Sequence, residues 1–379
     1  MKTALYQFFD NDWIKDPKSE QVADEKVDLI LCFGSKSKLL EKGIYQKFKT
    51  KFSKAEIAMT STAGEICQEK VLDNSIVAVA MQFDKTDIQS KDVNIKDYKN
   101  TYEAAISLGR KIPKNGLRYI LIFSDGSLVN GSELVKGLST QVEKEILITG
   151  GLAGDNANFH STLVGLNKQP GQGDIIAIGF YGSHISVTHG SQGGWDIFGL
   201  KKRITNSSSN VLLELEEQNA LDLYKKYLGE EAKRLPGSAL LFPLAVTIPG
   251  ASEPIVRTIL SIDEKNKSMT FAGDVPVGSE VQFMKANFDN IIQAASVAAD
   301  RTISNGNRIP DFALLISCVG RKLILESEID KEIKAVSKSF NHKAIIGGFY
   351  SYGEISPLVT GGTCQLHNQT MTITSFYED

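Results

Sequence analysis

Asp28-Leu-Ile-Leu-Cys-Phe-Gly34, Arg118-Tyr-Ile-Leu-Ile-Phe-Ser124 and Asp311-Phe-Ala-Leu-Leu-Ile-Ser317 are three versions of one apolar run. Runs with almost no polar break suit strands buried on both faces. An amphipathic helix is expected after each, over residues 36–49, 133–143 and 328–339, with the apolar side chains on one stripe. A short strand follows and enters a turn of small residues: Ser61-Thr-Ala-Gly-Glu65, Gly150-Gly-Leu-Ala-Gly-Asp155 and Gly348-Phe-Tyr-Ser-Tyr-Gly-Glu354. Each turn ends in Gly and a carboxylate, and a further strand comes next, at 75–83, 174–181 and 371–377. Strand–helix–strand implies a right-handed parallel crossover, and the added strand makes the sheet mixed. The fold class expected is therefore α/β (α+β): mixed sheets covered by helices, built from repeated strand–helix–strand–strand units in two closely packed domains. Equivalent placement of the three units is expected, with duplication within one fold as its origin.

The segment between the second and third units differs. Residues 212–228 read as a strand end and a helix, and 240–246, 256–262 and 268–272 read as antiparallel strands. A domain boundary is placed near Glu217. Helices are also expected over 102–111 and 288–304.

Composition sets the class of protein. A chain of 379 residues, 42% hydrophobic and 23% charged with a net charge of -3, fits a globular protein of two to three domains with no general pull toward nucleic acid. The lysines between Lys36 and Lys54 are read as the wet face of a helix buried through Leu40, Ile44, Phe48 and Phe52. No apolar run approaches the ~20 residues of a membrane span, and no secretory signal opens the chain. Cys32, Cys67, Cys318 and Cys364 are scattered and form no C-x-x-C pair, which points to a reducing, cytoplasmic setting without structural zinc.

Gly150-Gly-Leu-Ala-Gly154-Asp155, followed by Phe159, the Thr162-Leu-Val run and the strand ending near Gly182, resembles the FIST N-terminal domain. Gly348-Phe-Tyr-Ser-Tyr-Gly-Glu354-Ile355 and His367-Asn-Gln-Thr-Met-Thr372 resemble the close of the FIST C-terminal domain. Ala220-Leu-Asp-Leu-Tyr224, Phe242-Pro-Leu244, Val256-Arg257 and Val277-Gly278 agree in order. The resemblance implies domains at 27–217 and 218–378 and an intracellular sensory protein that binds a small ligand such as an amino acid. With no stretch left over for an output module, it also implies a separate signalling partner. Some members of the family are haem-binding nitric oxide sensors, which supplies an alternative; otherwise no cofactor or metal is expected.

Candidate ligand-binding residues are Gly151, Ala153, Gly154, Asp155 and Asn156 in the second turn. Backbone amides there suit a carboxylate, and Asp155 suits an ammonium. Tyr350, Tyr352 and Glu354, spaced two apart, would face one way on an extended segment and wall a cationic or zwitterionic ligand. Arg257, in an apolar strand, needs a carboxylate from protein or ligand. His367 and Asn368 would face the third turn. Against each stands a structural role, since a turn that defines the fold also recurs three times. None of the five histidines has metal spacing, and no catalytic motif is present, so no catalytic residue is assigned. A hydrolase or transferase using Asp155 and Glu354 as a carboxylate pair is the second alternative.

Overall fold

The computed structural model describes all residues except 10, 11, 252, 304–307 and 360. Among the described residues there are three six-stranded mixed sheets and one smaller antiparallel domain. In the first sheet Leu29–Gly34 lies parallel to Glu56–Ser61 and antiparallel to Ile76–Gln82. In the second, Leu117–Ser124 stands in the same way between Leu147–Leu152 and Asp174–Tyr181. In the third, Phe312–Cys318 stands between Ile345–Ser351 and Met371–Glu378. The continuous apolar runs are thus the centres of three sheets, as their composition requires.

Alternate residues of these strands serve two cores. Leu31 and Phe33, Leu121 and Phe123, and Leu314 and Ile316 face inward and share one core. At its middle Phe33, Phe123 and Phe349, one from each sheet, form a triangle with ring centroids 5.0 to 5.8 Å apart. Each such pair is worth about 0.5–1.5 kcal/mol beyond its buried area. The outward residues meet separate helical layers. Ile30 and Cys32 lie under the helices after the first strand, Ile120 and Ile122 under Thr101–Lys111 and Gly131–Ser139, and Ala313 and Leu315 under Phe288–Asp300 and Asp330–Ser339.

The sheets are tied by exchange of strands. After its turn the first unit sends Glu65–Cys67 onto Ile345–Ser351 of the third sheet. The third unit sends Gly353–Pro357 onto Leu147–Leu152 of the second. The second unit sends Val164–Leu166 onto Glu56–Ser61 of the first. The exchange closes into a ring. Two further strands pass round the ring in the opposite direction: Asp87–Asn94, from the first unit, joins the second sheet, and Ile185–Gln192, from the second, joins the third.

The smaller domain begins at Asp196–Ser208 and ends at Glu280–Lys285, with Ala220–Leu228 packed on its sheet. Several local expectations shift. The lysine-rich helix is two helices, Lys36–Leu39 and Ile44–Lys51, because Gly43 between them takes φ 79°. The break turns Leu40 out to 57% exposure, whereas Ile44, Phe48 and Phe52 are buried. An unanticipated helix, Val319–Leu325, follows the third central strand, and the strand expected over 240–246 begins only at Leu244, because residues 240 and 241 close a 3-10 turn.

Candidate functional site

The three turns meet where the exchanged strands leave their own units. Backbone bonds interlock them: Ala63 N–H to the Tyr350 carbonyl at 2.8 Å, Gly154 N–H to Ser61 at 2.9 Å and Tyr352 N–H to Leu152 at 3.1 Å. Two of the turns are closed on themselves. In the first, the Glu65 carboxylate accepts from the Thr62 hydroxyl three residues back at 2.5 Å and from the Ser75 hydroxyl at 2.7 Å. In the third, Glu354 accepts from the Ser351 hydroxyl, again three residues back, at 2.7 Å and from the Thr370 hydroxyl at 2.9 Å. Burial raises both carboxyls from their ordinary range, Glu65 to about 7 and Glu354 to about 8, against the opposing pull of those hydroxyls.

The second turn departs from this pattern. Leu152 occupies the hydroxyl position and is buried in the outer core. The acid is Asp155, one methylene shorter. Its carboxylate accepts instead from the Tyr352 hydroxyl and, at 3.1 Å, from the Ser161 amide. The Lys36 ammonium lies 3.6 Å from it and donates to the Ser161 hydroxyl. The Tyr352 hydroxyl receives the Phe159 N–H at 2.9 Å, and the two rings stack at 4.7 Å and 21°. Burial and then the Asp155 bond raise the Tyr352 phenol above its ordinary value, so it stays a donor. Phe159 is 46% exposed, and this cluster opens to solvent on that side.

Next to it lies a cleft of about 350 Å³ bordered by Ala63, Asn74, Asn156 and Lys322. Lys322 donates to the Ala63 carbonyl at 2.8 Å and to Asp73. Gly64, at φ 146°, makes room for it, since a Cβ there would stand 2.7 Å from the ammonium nitrogen. All three units contribute to the neighbourhood: Lys36 and Ala63, Asp155 to Ser161, and Lys322 with Tyr352.

The sequence candidates are placed as follows. Gly151 pairs with Glu354 in register, so the second and third turns are direct neighbours. Ala153 is core, and Gly154 packs so closely that a Cβ would lie 2.8 Å from the Ala63 amide nitrogen. Asn156, at φ 58°, borders the cleft. His367 pairs with Glu354; its Nε2 meets the Ser356 carbonyl at 2.8 Å, and burial lowers it to about 4. Asn368 is buried and donates to the His367 carbonyl at 3.0 Å.

Two expectations need correcting. Tyr350, Tyr352 and Glu354 do not face one way. Tyr350 is buried with its hydroxyl 2.5 Å from Glu332, Tyr352 reaches Asp155, and Glu354 bonds Ser351 and Thr370. The chain bends at Tyr352 as it passes from the third sheet to the second, which breaks the two-residue alternation. Among the described residues no carboxylate pairs with Arg257: its guanidinium donates to the carbonyls of Asp274 at 3.0 Å and Leu366 at 2.9 Å, and burial lowers it to about 10 against the opposing pull of the Asp274 charge. It braces the smaller domain against the strand Cys364–His367.

Asp155 and Glu354 share no bonding partner, so the two carboxylates are held by separate sets of groups. Residues missed by sequence reasoning are Lys36, Ser161 and Lys322. The available signal was position, because Lys36 follows the end of a parallel strand, where α/β sheets place function. Among the described residues, no cluster of His, Cys, Asp and Glu has the form of a metal site.

The histidines do not fit a haem. His189 borders a larger cavity, but its ring is engaged by the carbonyls of Pro357 and Val359. His367 is fully buried and His342 bonds Glu69 at 2.9 Å. His160 and His184 stand on the open surface, outside both cavities.

No curated protein matches the chain. Among solved structures, cyanuric acid hydrolase from A. caulinodans aligns at 5% identity and a TM-score of 0.36, covering 94% of this chain and 91% of its own. A second cyanuric acid hydrolase aligns at 7% and 0.34, covering 100% and 99%. Neither likeness is close enough to carry an argument about this site. The sequence families are decisive: residues 28–218 match the FIST N domain and 220–357 the FIST C domain, so the chain belongs to the FIST family of sensory, signalling-type domains.

Proposed function

We propose that this protein is a non-enzymatic sensor that binds an amino acid or a similar small zwitterion at the second turn and passes its state to a separate partner. The observation that carries the reading is the release of Asp155. All three acids are buried, but Glu65 and Glu354 bond hydroxyls of their own turns, whereas Asp155 is met by Lys36 and Tyr352 from other units, beside the exposed Phe159. A ligand ammonium would replace Lys36 beside Asp155, and a ligand carboxylate would take up Lys36 or Lys322. The Phe159–Tyr352 stack would close over it.

The Lys36–Ser161 contact invites a nucleophilic reading, but Lys36 also lies 3.6 Å from the Asp155 carboxylate and is engaged there as an ion-pair partner. Four free cysteines fit a reducing interior and a cytoplasmic protein.

The test is a thermal-shift screen of amino acids and related metabolites, repeated on Asp155→Asn. Ligand at a hundred times its Kd adds about 2.7 kcal/mol of stability. A hit that stabilises the wild type and not the variant is the expected result. An equal shift in both proteins, or no shift across the panel, would sink the proposal.

A further inference from the structure

The ring of exchanged strands leaves three seams between neighbouring sheets, and two of these are closed by side chains. Between the first and second sheets, Lys168 follows the exchanged strand and sits 3.1 Å from Asp92 and 2.9 Å from Asp174. Between the third and first, Gln68 follows its exchanged strand and bonds Asp16 at 3.0 Å, while Gln7 reaches the Cys67 sulfur at 3.3 Å. The remaining seam, between the second and third sheets, is different. The chain after Gly353–Pro357 includes Gly361 and Gly362, which have no side chains to fill the gap, and a cavity of about 840 Å³ lies there.

Its walls combine apolar and polar residues in about equal number. Val142 and Ile146 approach from one side, Val187 and Ile303 from the other, and His189 and Cys364 also border it. Burial lowers the His189 imidazole and raises the Cys364 thiol, so both are uncharged near neutral pH. At the rim, Glu143 and Glu145 offset Lys144 and Arg301, leaving no net charge. A concave space of this size, with apolar patches between polar groups whose charges cancel, has the dimensions of a small-molecule site, at roughly 300–1,000 Å³.

We infer that this seam is a second binding site, which accepts an uncharged, mainly apolar small molecule of roughly drug size. It is separate from the Asp155 site and does not depend on the reading given for it. The hairpin of Gly353–Pro357 and Cys364–His367 runs between the two, with Glu354 paired to His367 at one end and Pro357 to Cys364 at the cavity.

The test uses the full chain and Nile red, a neutral apolar dye. Saturable binding of one dye per chain is expected in the wild type and in Asp155→Asn. Affinity should fall at least tenfold in Val187→Phe and Thr363→Trp, which place bulk in the cavity, with melting temperatures confirming that both variants fold. A second readout needs no variant: N-ethylmaleimide should modify Cys364 faster than the fully buried Cys32, and saturating dye should slow it. Absence of saturable binding would overturn the inference. So would unchanged affinity in both filled variants, or a Cys364 that reacts no faster than Cys32 or is unprotected by dye.

Discussion

In the turns Thr62–Glu65 and Ser351–Glu354 a hydroxyl stands three residues before a glutamate, whereas Leu152–Asp155 has leucine and the shorter aspartate, and this difference decides which groups each acid meets. Where a hydroxyl stands three residues before a glutamate, the acid folds back, buries itself and locks the start of an exchanged strand. Where leucine replaces the hydroxyl and aspartate the glutamate, the carboxylate is still buried but is left without a hydroxyl of its own turn, and it bonds Tyr352 and Ser161 with Lys36 beside it. A shared backbone motif thus places its acid in two different bonding environments. The odd member of the set marks the candidate site more sharply than the motif itself.

The sharpest way to break this contrast is to remove the acids. Glu354→Ala strands the Ser351 and Thr370 hydroxyls in the interior and should lose about 3 kcal/mol in denaturant unfolding. Asp155→Ala should cost clearly less, and equal losses would erase the distinction.

A pH series tests the same contrast without truncation. The folded pKa of Glu354 is raised to about 8 and that of Glu65 to about 7, against ordinary unfolded values near 4.5. The folded state therefore holds protons that the unfolded state releases. The stability contributed is complete below about pH 4.5 and is lost as pH rises toward 7 and 8, at up to about 1.4 kcal/mol per pH unit for each group. Glu354→Gln should flatten the fall between pH 5 and 8; a slope identical to wild type would show that Glu354 is ionised in the fold.

At the open turn the effect should fall on binding. Lys36→Met should weaken the ligand found by the thermal-shift screen at least tenfold, or about 1.4 kcal/mol, while changing unfolding free energy by under about 1 kcal/mol. Loss of stability with intact affinity would reverse the assignment. The smallest expected change is Tyr352→Phe, which removes one hydroxyl shared by Asp155 and Phe159 and should cost about 1 kcal/mol. Calorimetric melting would resolve it, and a loss near that for Glu354→Ala would mean that the second turn is also a structural lock.

The central strands were legible because a run such as Tyr119 to Phe123 has no polar face to misread, and the helices Thr101–Lys111 and Phe288–Asp300 follow plain 3.6-residue stripes. Strand exchange was not legible. Apolar alternation says which face is buried but not whose sheet supplies the neighbour, and Glu65–Cys67 pairs with residues some 280 positions away. The strand Asp196–Ser208 was hidden by its polar residues, Lys-Lys-Arg-Ile-Thr-Asn, which suit an exposed sheet. At the site, Asp155 was visible as a carboxylate after glycines, and the alternative that paired it with Glu354 placed the second and third turns side by side, as the register of Gly151 with Glu354 does. Lys36 and Ser161 lie 125 residues apart, and only the exchange of strands brings them together.

The ring of exchanged strands also sets a timetable for synthesis. The core of the first sheet, with the strand it receives from the second unit, is available once Leu166 has been made. The second sheet waits for His367 and the third for Glu378. Until the ribosome has delivered Ile345–Ser351, Glu65–Cys67 has no native partner for one of its edges, although it belongs to an early part of the chain. Loop closure over such a distance is slow, and unpaired strand edges attract other chains. The nascent protein therefore passes most of its translation with one arm outstretched, and its yield in a cell should depend on whatever shields that arm until the last third of the chain arrives.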